Sequence, residues 1–122
     1  SYETRKILHR NDLNITATTV RVPVMYSHSV SANVEFDKDF ELEELVNVLR
    51  KAKGIILMDN PKENIYPMPI IAEGTDEVYV GRIRRDFSVK SGVNLWIVAD
   101  NIRKGAATNT VQIAELLIKN QF

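Results

Sequence analysis

Two side chains within residues 18–29 have the types that substrate chemistry needs. Arg21 carries a planar guanidinium that can grip a carboxylate or phosphate at two points, and His28 exchanges a proton near neutral pH. Together they suit a site that holds an anion while a proton moves. Each also has a plain structural reading: an arginine in a β segment commonly makes a surface ion pair, and a lone histidine commonly packs. Spacing adds a constraint. The two stand seven positions apart, and on an unbroken strand an odd separation sends side chains to opposite faces. They can share a pocket only if the chain is re-aimed between them, and Pro23 with the Met25-Tyr26-Ser27 stretch is where a turn or bulge is expected.

The elements that must position them are coarse but legible. Residues 2–9 read as the end of a helix begun upstream, closing in the polar Arg10-Asn11-Asp12 loop, with His9 as a capping or solvent-facing residue. Residues 15–24 and 30–36 read as strands, the first confined by Pro23 to an edge or irregular position. A helix follows: Asp37, Asp39, Glu41, Glu43 and Glu44 lie toward its positive end. Leu42, Leu45, Val46, Leu49 and Ala52 make its apolar stripe, and Arg50, Lys51 and Lys53 precede a terminal Gly54. Residues 54–58 form a short buried strand and 59–69 a loop punctuated by Pro61, Pro67 and Pro69. Strands are expected at 77–84, with Gly81 as a bulge or close backbone approach, and at 94–99. A helical face recurs in residues 103–119 through Ala106, Ala107, Val111, Ala114, Leu117 and Ile118, with Asn109 and Gln112 close to it. The result is an α+β domain.

Composition narrows the function classes. Sixteen basic and sixteen acidic residues cancel, so no broad field drives the chain toward nucleic acid or an anionic membrane. At 122 residues, 44% hydrophobic and 26% charged, one globular domain is expected. No apolar run approaches the roughly 20 residues of a membrane helix, and the first residues, Ser1-Tyr2-Glu3-Thr4-Arg5-Lys6, lack a signal-peptide pattern; a cytoplasmic location is expected. Absence of cysteine excludes disulfides and thiolate zinc sites, and two histidines nineteen apart make no metal-ligand set. Arg82, Arg84 and Arg85 form the basic cluster. Alternation puts Arg82 and Arg84 on one strand face, suited to a dimer interface or to solvation.

Three separated blocks carry a resemblance. Arg21-Val22-Pro23-Val24 followed by His28-Ser29 resembles the catalytic segment of the aspartate-semialdehyde dehydrogenase family. Asp76-Glu77-Val78-Tyr79-Val80-Gly81-Arg82-Ile83-Arg84-Arg85-Asp86 and Asn94-Leu95-Trp96-Ile97-Val98-Ala99-Asp100-Asn101-Ile102-Arg103-Lys104-Gly105-Ala106-Ala107 are similar to it in the same order and spacing. The resemblance implies an NADP-dependent enzyme that reductively dephosphorylates L-aspartyl 4-phosphate to L-aspartate 4-semialdehyde, toward lysine, threonine, methionine and diaminopimelate. The family nucleophile is a cysteine thiolate. This chain has neither a cysteine nor a glycine-rich nucleotide loop, so the expectation is a piece of the enzyme, the C-terminal part, inactive alone.

The implied fold is the C-terminal domain of the glyceraldehyde-phosphate dehydrogenase type, a mixed, largely antiparallel sheet covered by helices, forming a homodimer or higher homo-oligomer. Residues 1–122 would be its catalytic and dimerisation domain, with 104–122 packing toward the nucleotide-binding domain. The implied roles are a proton shuttle beside the cysteine for His28, a bidentate grip on the substrate carboxylate for Arg21, and contact with the nicotinamide carboxamide for Asn101. An amide offers a donor and an acceptor to a group that does likewise, although a strand-to-helix turn also suits Asn101. Glu3 and Lys6 copy the Glu-x-x-Lys spacing of the family's substrate and phosphate contacts, a spacing that also makes surface ion pairs. Asn109 and Gln112 would bond a neighbouring domain, and Gly105 would allow close helix packing. A non-catalytic dimerisation or amino-acid-binding module is the alternative; neither would require His28.

Overall fold

The computed structural model describes residues 2–120, so Ser1 of the N-terminal reading and the last two residues of the 104–122 segment lie outside the described residues. In chain order the elements are α1 (Tyr2–Leu8), β1 (His28–Glu35), α2 (Leu42–Lys51), β2 (Ile55–Leu57), α3 (Pro69–Ala72), β3 (Val78–Asp86), β4 (Gly92–Ala99) and α4 (Thr108–Lys119). The strands form one mixed sheet in the order β1-β4-β3-β2. Both neighbours of β4 run antiparallel to it, and only the short β2 lies parallel, against β3.

β4 is central because its sequence tolerates burial on both faces. Val93 and Val98 point to opposite sides and are fully buried. One face carries Tyr79 and Val98, packed with Ala72 of α3 and flanked by Met58, Ile71 and Trp96. The opposite face places His28, Val30, Ala32 and Val34 across from Ala99, Ile97, Leu95 and Val93. α2 lies against β2 and β3. Its stripe of Leu42, Leu45, Val46 and Leu49 is half-buried while Glu43, Glu44, Val48 and Arg50 face water. The loop ahead of it is pinned by Arg85, which pairs with Asp39 at 3.0 Å, stacks 4.0 Å from the centre of the Phe40 ring and donates to the Phe40 carbonyl. That contact separates Arg85 from Arg82 and Arg84.

Residues 15–24 depart from expectation: they form no strand and join no ladder. Val20, Val22 and Val24 are 81%, 49% and 45% exposed, so the alternation that reads as a strand has no partner strand among the described residues. A γ-turn bends the chain at Pro23, the Val24 N–H donating to the Val22 carbonyl at 2.9 Å; proline's fixed φ suits that turn. The strand begins at His28 instead of residue 30. In residues 59–69, Pro61 opens a short 3₁₀ turn over Pro61–Glu63, and Pro69 stands at the first position of α3, where its missing N–H costs nothing. Likewise α4 is preceded by a π-helical turn at Arg103–Ala107 instead of one continuous helix.

The helix ends follow local rules. His9 adopts φ 52° and closes α1 as a Schellman cap, the His9 N–H donating to the Lys6 carbonyl and the Arg10 N–H to the Arg5 carbonyl. Gly54 has φ 80°, but the residue that ends α2 is Ala52, in extended conformation, so glycine serves the turn into β2 instead of the cap itself.

Gly81 marks both a close approach and a bulge. Past it, Arg82 and Ile83 stand against Leu95 alone, with Arg82 at φ 53°. The Ile83 N–H freed there donates to the Asp59 carboxylate at 2.9 Å. A Cβ at Gly81 would come 2.2 Å from the Met58 carbonyl oxygen and 2.6 Å from Cδ of Pro67. Gly81→Ala is therefore expected to destabilise the domain by about 1–3 kcal/mol, the range for overpacking. Thermal unfolding checks it; an unchanged midpoint would mean that the β2–β3 loop yields freely.

Candidate functional site

His28 opens β1 directly across from Ala99, the last residue of β4. Asn101 follows two positions later in the turn that leaves the sheet. The register therefore brings the two together: His28, Val30, Ile97, Ala99, Asn101 and Gly105 line one depression of about 300 Å³. Its floor is apolar and its rim holds an imidazole and an amide. Such a surface can present a proton-transfer group and a donor–acceptor pair to a flat polar ring laid over the aliphatic floor. A Cβ on Gly105 would meet Asn101 Cβ at 3.7 Å, an ordinary contact, so close packing does not require glycine there.

Two aspartates that sequence reading passed over hold this turn. Asp100 is buried, and its carboxylate accepts the Gly74 N–H at 2.9 Å, the Ile102 N–H at 2.8 Å and the Arg103 N–H at 3.1 Å. These bonds, Gly74's first, hold its carboxyl below the usual range. Asp76 takes both prongs of Arg103 at 2.8 and 3.0 Å and the Thr108 hydroxyl at 2.6 Å. The loop before β3 is thereby tied to the π-helical turn and the first residue of α4. The available signal was an Asp followed at short range by backbone N–H groups turning into a helix, the pattern of an Asx turn.

Arg21 is exposed on the unladdered segment and does not line the depression with His28 and Asn101. The parity constraint on the pair does not apply, because the chain turns at Pro23 and again at Ser27, whose φ is 72°. Glu3 and Lys6 are exposed on α1 and form no ion pair with each other. Asn109 and Gln112 meet Lys104, whose ammonium donates to their side-chain carbonyl oxygens at 3.5 and 2.6 Å.

The semialdehyde dehydrogenase dimerisation-domain family matches residues 1–104. The chain belongs to that family. The aspartate-semialdehyde dehydrogenase of Aquifex aeolicus is 58% identical over 118 residues, which cover 97% of this chain and 35% of that protein. The enzyme of the same name from Bacillus subtilis is 48% identical over 118 residues, covering 96% and 34%. Among solved structures, aspartate semialdehyde dehydrogenase II from Vibrio cholerae complexed with ASA is similar with a TM-score of 0.91 at 44% identity, over 99% of this chain and 35% of that one. The chain thus spans about a third of the length of the relatives it matches. The mixed, largely antiparallel sheet with helices is the glyceraldehyde-phosphate dehydrogenase-like domain expected from the resemblance.

Within this semialdehyde dehydrogenase dimerisation domain, a further depression of about 360 Å³ lies on the other face of the sheet, lined by Ser31, Tyr66, Trp96, Arg82, Arg84 and a proline-rich wall. Arg82 stacks 4.8 Å from the centre of the Tyr66 ring. It shares no residue with the His28 depression, so the basic cluster and the imidazole serve different surfaces.

Because Asp76 titrates at about 2, chiefly through the Arg103 and Thr108 hydrogen bonds, its clamp has a defined pH signature. In the unfolded chain an aspartate titrates near 3.9, so between about 3.9 and 2 the unfolded state binds the extra proton. The clamp's contribution is present above that window and is lost as pH falls through it. Asp76→Asn should flatten the fall of stability with pH across this range, measured by urea unfolding at stepped pH; an unaltered slope would remove the clamp from the stability of the fold.

Proposed function

We propose that this chain is the C-terminal catalytic and dimerisation part of an NADP-dependent aspartate-semialdehyde dehydrogenase, working in the cytoplasm as a homodimer or higher homo-oligomer. The observation that carries the reading is the meeting of His28 and Asn101 over one apolar floor, in a chain of this family. The reaction converts an acyl phosphate to an aldehyde, a hydride taking the place of phosphate on the acyl carbon. When bound, the reduced nicotinamide supplies that hydride. Asn101 fits the nicotinamide edge, since its exposed amide offers a donor and an acceptor to a carboxamide. The rest of the cofactor would be held by the nucleotide domain outside this chain.

His28 works as a general acid and base. A thiol attacking a carbonyl at neutral pH needs a base to form thiolate, and the tetrahedral oxyanion that follows needs a donor. An exposed imidazole at the start of a rigid strand can serve the cysteine of the intact enzyme in both capacities. Arg21 grips the substrate α-carboxylate; its exposed, unladdered segment would be covered and aimed by the rest of the enzyme. α4 supports the same arrangement. It buries none of its residues, and Val111, Ile113, Leu116, Leu117 and Ile118 are all more than half exposed, an apolar surface suited to packing against the nucleotide domain.

In the full-length enzyme, His28→Ala should lower kcat by about 10²–10⁴-fold, the span of general acid–base catalysis. Steady-state kinetics with the semialdehyde checks it, and turnover near wild type would return His28 to a structural role. Arg21→Lys keeps the charge and loses the planar two-point geometry, so KM should rise, with any fall in kcat coming from misalignment of the carbonyl. Unchanged KM for the semialdehyde would take Arg21 out of the site.

A further inference from the structure

We propose that Ser27 is a positioning residue for His28: its side chain locks the backbone ahead of the imidazole to the proline-rich loop between β2 and β3. The inference deepens the reading of His28 as acid and base, and rests on it.

Three observations meet at this one residue. Ser27 is 8% exposed in a segment where residues 16–26 are otherwise exposed. Its Oγ donates to the Pro69 carbonyl at 2.9 Å, a bond that joins positions 42 apart in sequence. Its φ of 72° lies in the left-handed region, which a non-glycine residue keeps only when its surroundings over-determine it. A surface turn that merely needed a positive φ would be served by glycine, with no buried side chain and no long-range bond.

The post that Ser27 grips is itself rigid. Pro67 is fully buried, and its carbonyl accepts the indole N–H of Trp96 at 2.9 Å, which fixes the loop to central strand β4. Pro69 opens α3, whose Ala72 is in the core. Two independent routes thus lead from β4 to His28: the ladder across from Ala99 on one side, and Trp96, the loop and Ser27 on the other. Without the second, His28 would be the first ladder residue after a long unpaired segment, the place where a strand frays. With it, the chain is anchored one residue ahead of the imidazole.

The test uses full-length enzyme carrying Ser27→Ala or Ser27→Gly, alongside His28→Ala. Both Ser27 variants lose the bond to Pro69, while glycine also relieves the left-handed φ, so stability and positioning separate. We expect both to lower kcat by about 10- to 100-fold with KM changed little, the scale of a misplaced catalytic group. The limb of the kcat/KM pH profile that His28→Ala abolishes should be displaced. The His28 ring resonance, assigned by its loss in His28→Ala, should shift in both. Wild-type kcat with an unmoved resonance overturns the proposal, as does a fall in kcat with the resonance unmoved, or a loss in Ser27→Ala that Ser27→Gly restores. Should Ser27→Ala fail to fold, Ser27→Gly decides by the same readouts. Full activity in His28→Ala would instead overturn the catalytic reading of His28, whereas the ring resonance would still report whether Ser27 sets its position.

Discussion

The antiparallel register between β1 and β4 is the constraint on which the site depends. It sets His28 opposite Ala99 and so places an imidazole from the start of one strand beside an amide just beyond the end of another. A slip of one residue would send His28 to the other face, among the Tyr79, Trp96 and Val98 packing. What prevents the slip is burial on both faces of β4. Val93 and Val98 are fully enclosed on opposite sides, and exchanging the faces of β1 would put polar Ser29, Ser31 and Asn33 where Val30, Ala32 and Val34 now lie. The site inherits its geometry from this hydrophobic choice.

Around that fixed centre two stretches of the described residues expose apolar side chains. Residues 20–26 present Val20, Met25 and Tyr26 to water, and α4 presents its apolar residues likewise. Both adjoin the His28 and Asn101 region in sequence, one just before β1 and one just after the turn that follows β4. A chain that spans about a third of its relatives' length is consistent with such surfaces. Exposed apolar side chains of this kind suit a contact surface, and polar clamps lie at the root of each stretch. Asp76, Arg103 and Thr108 fix where α4 leaves the sheet, and Ser27 fixes where the unladdered segment enters it.

The regular elements were legible in the amino-acid pattern because their signals are local. β-branched alternation marked β1 and β3, and the charge gradient and apolar stripe marked α2. Residues 15–24 misled for the same reason: Val20, Val22 and Val24 alternate as a strand does, but a strand is a pairing, and no periodicity reports the partner. Of the site, His28 and Asn101 were legible as residue types, while their meeting depended on register. Asp100 was legible only as a local Asx turn with the Ile102 and Arg103 N–H groups; its bond to Gly74 and the pairing of Asp76 with Arg103 were not, since they join groups far apart in sequence. Gly81 fell between: its sequence position suggested a bulge or close approach, and both are present at once.

The distribution of unusual backbone angles fits this division of labour. Apart from the cap at His9 and the 3₁₀ turn ending at Asn64, the non-glycine residues with positive φ are Ser27 and Arg82 among those described. Ser27 precedes the imidazole, and Arg82 stands in the bulge beside the aromatic depression on the opposite face. Each is held by a contact that a flexible loop would not supply: a hydroxyl bonded across the fold in one case, a guanidinium stacked on Tyr66 in the other. Conformations of this kind cost about 1–3 kcal/mol each. A domain with a small core keeps them only where surrounding structure enforces them, and here both sit where a strand stops being regular and begins to aim a side chain.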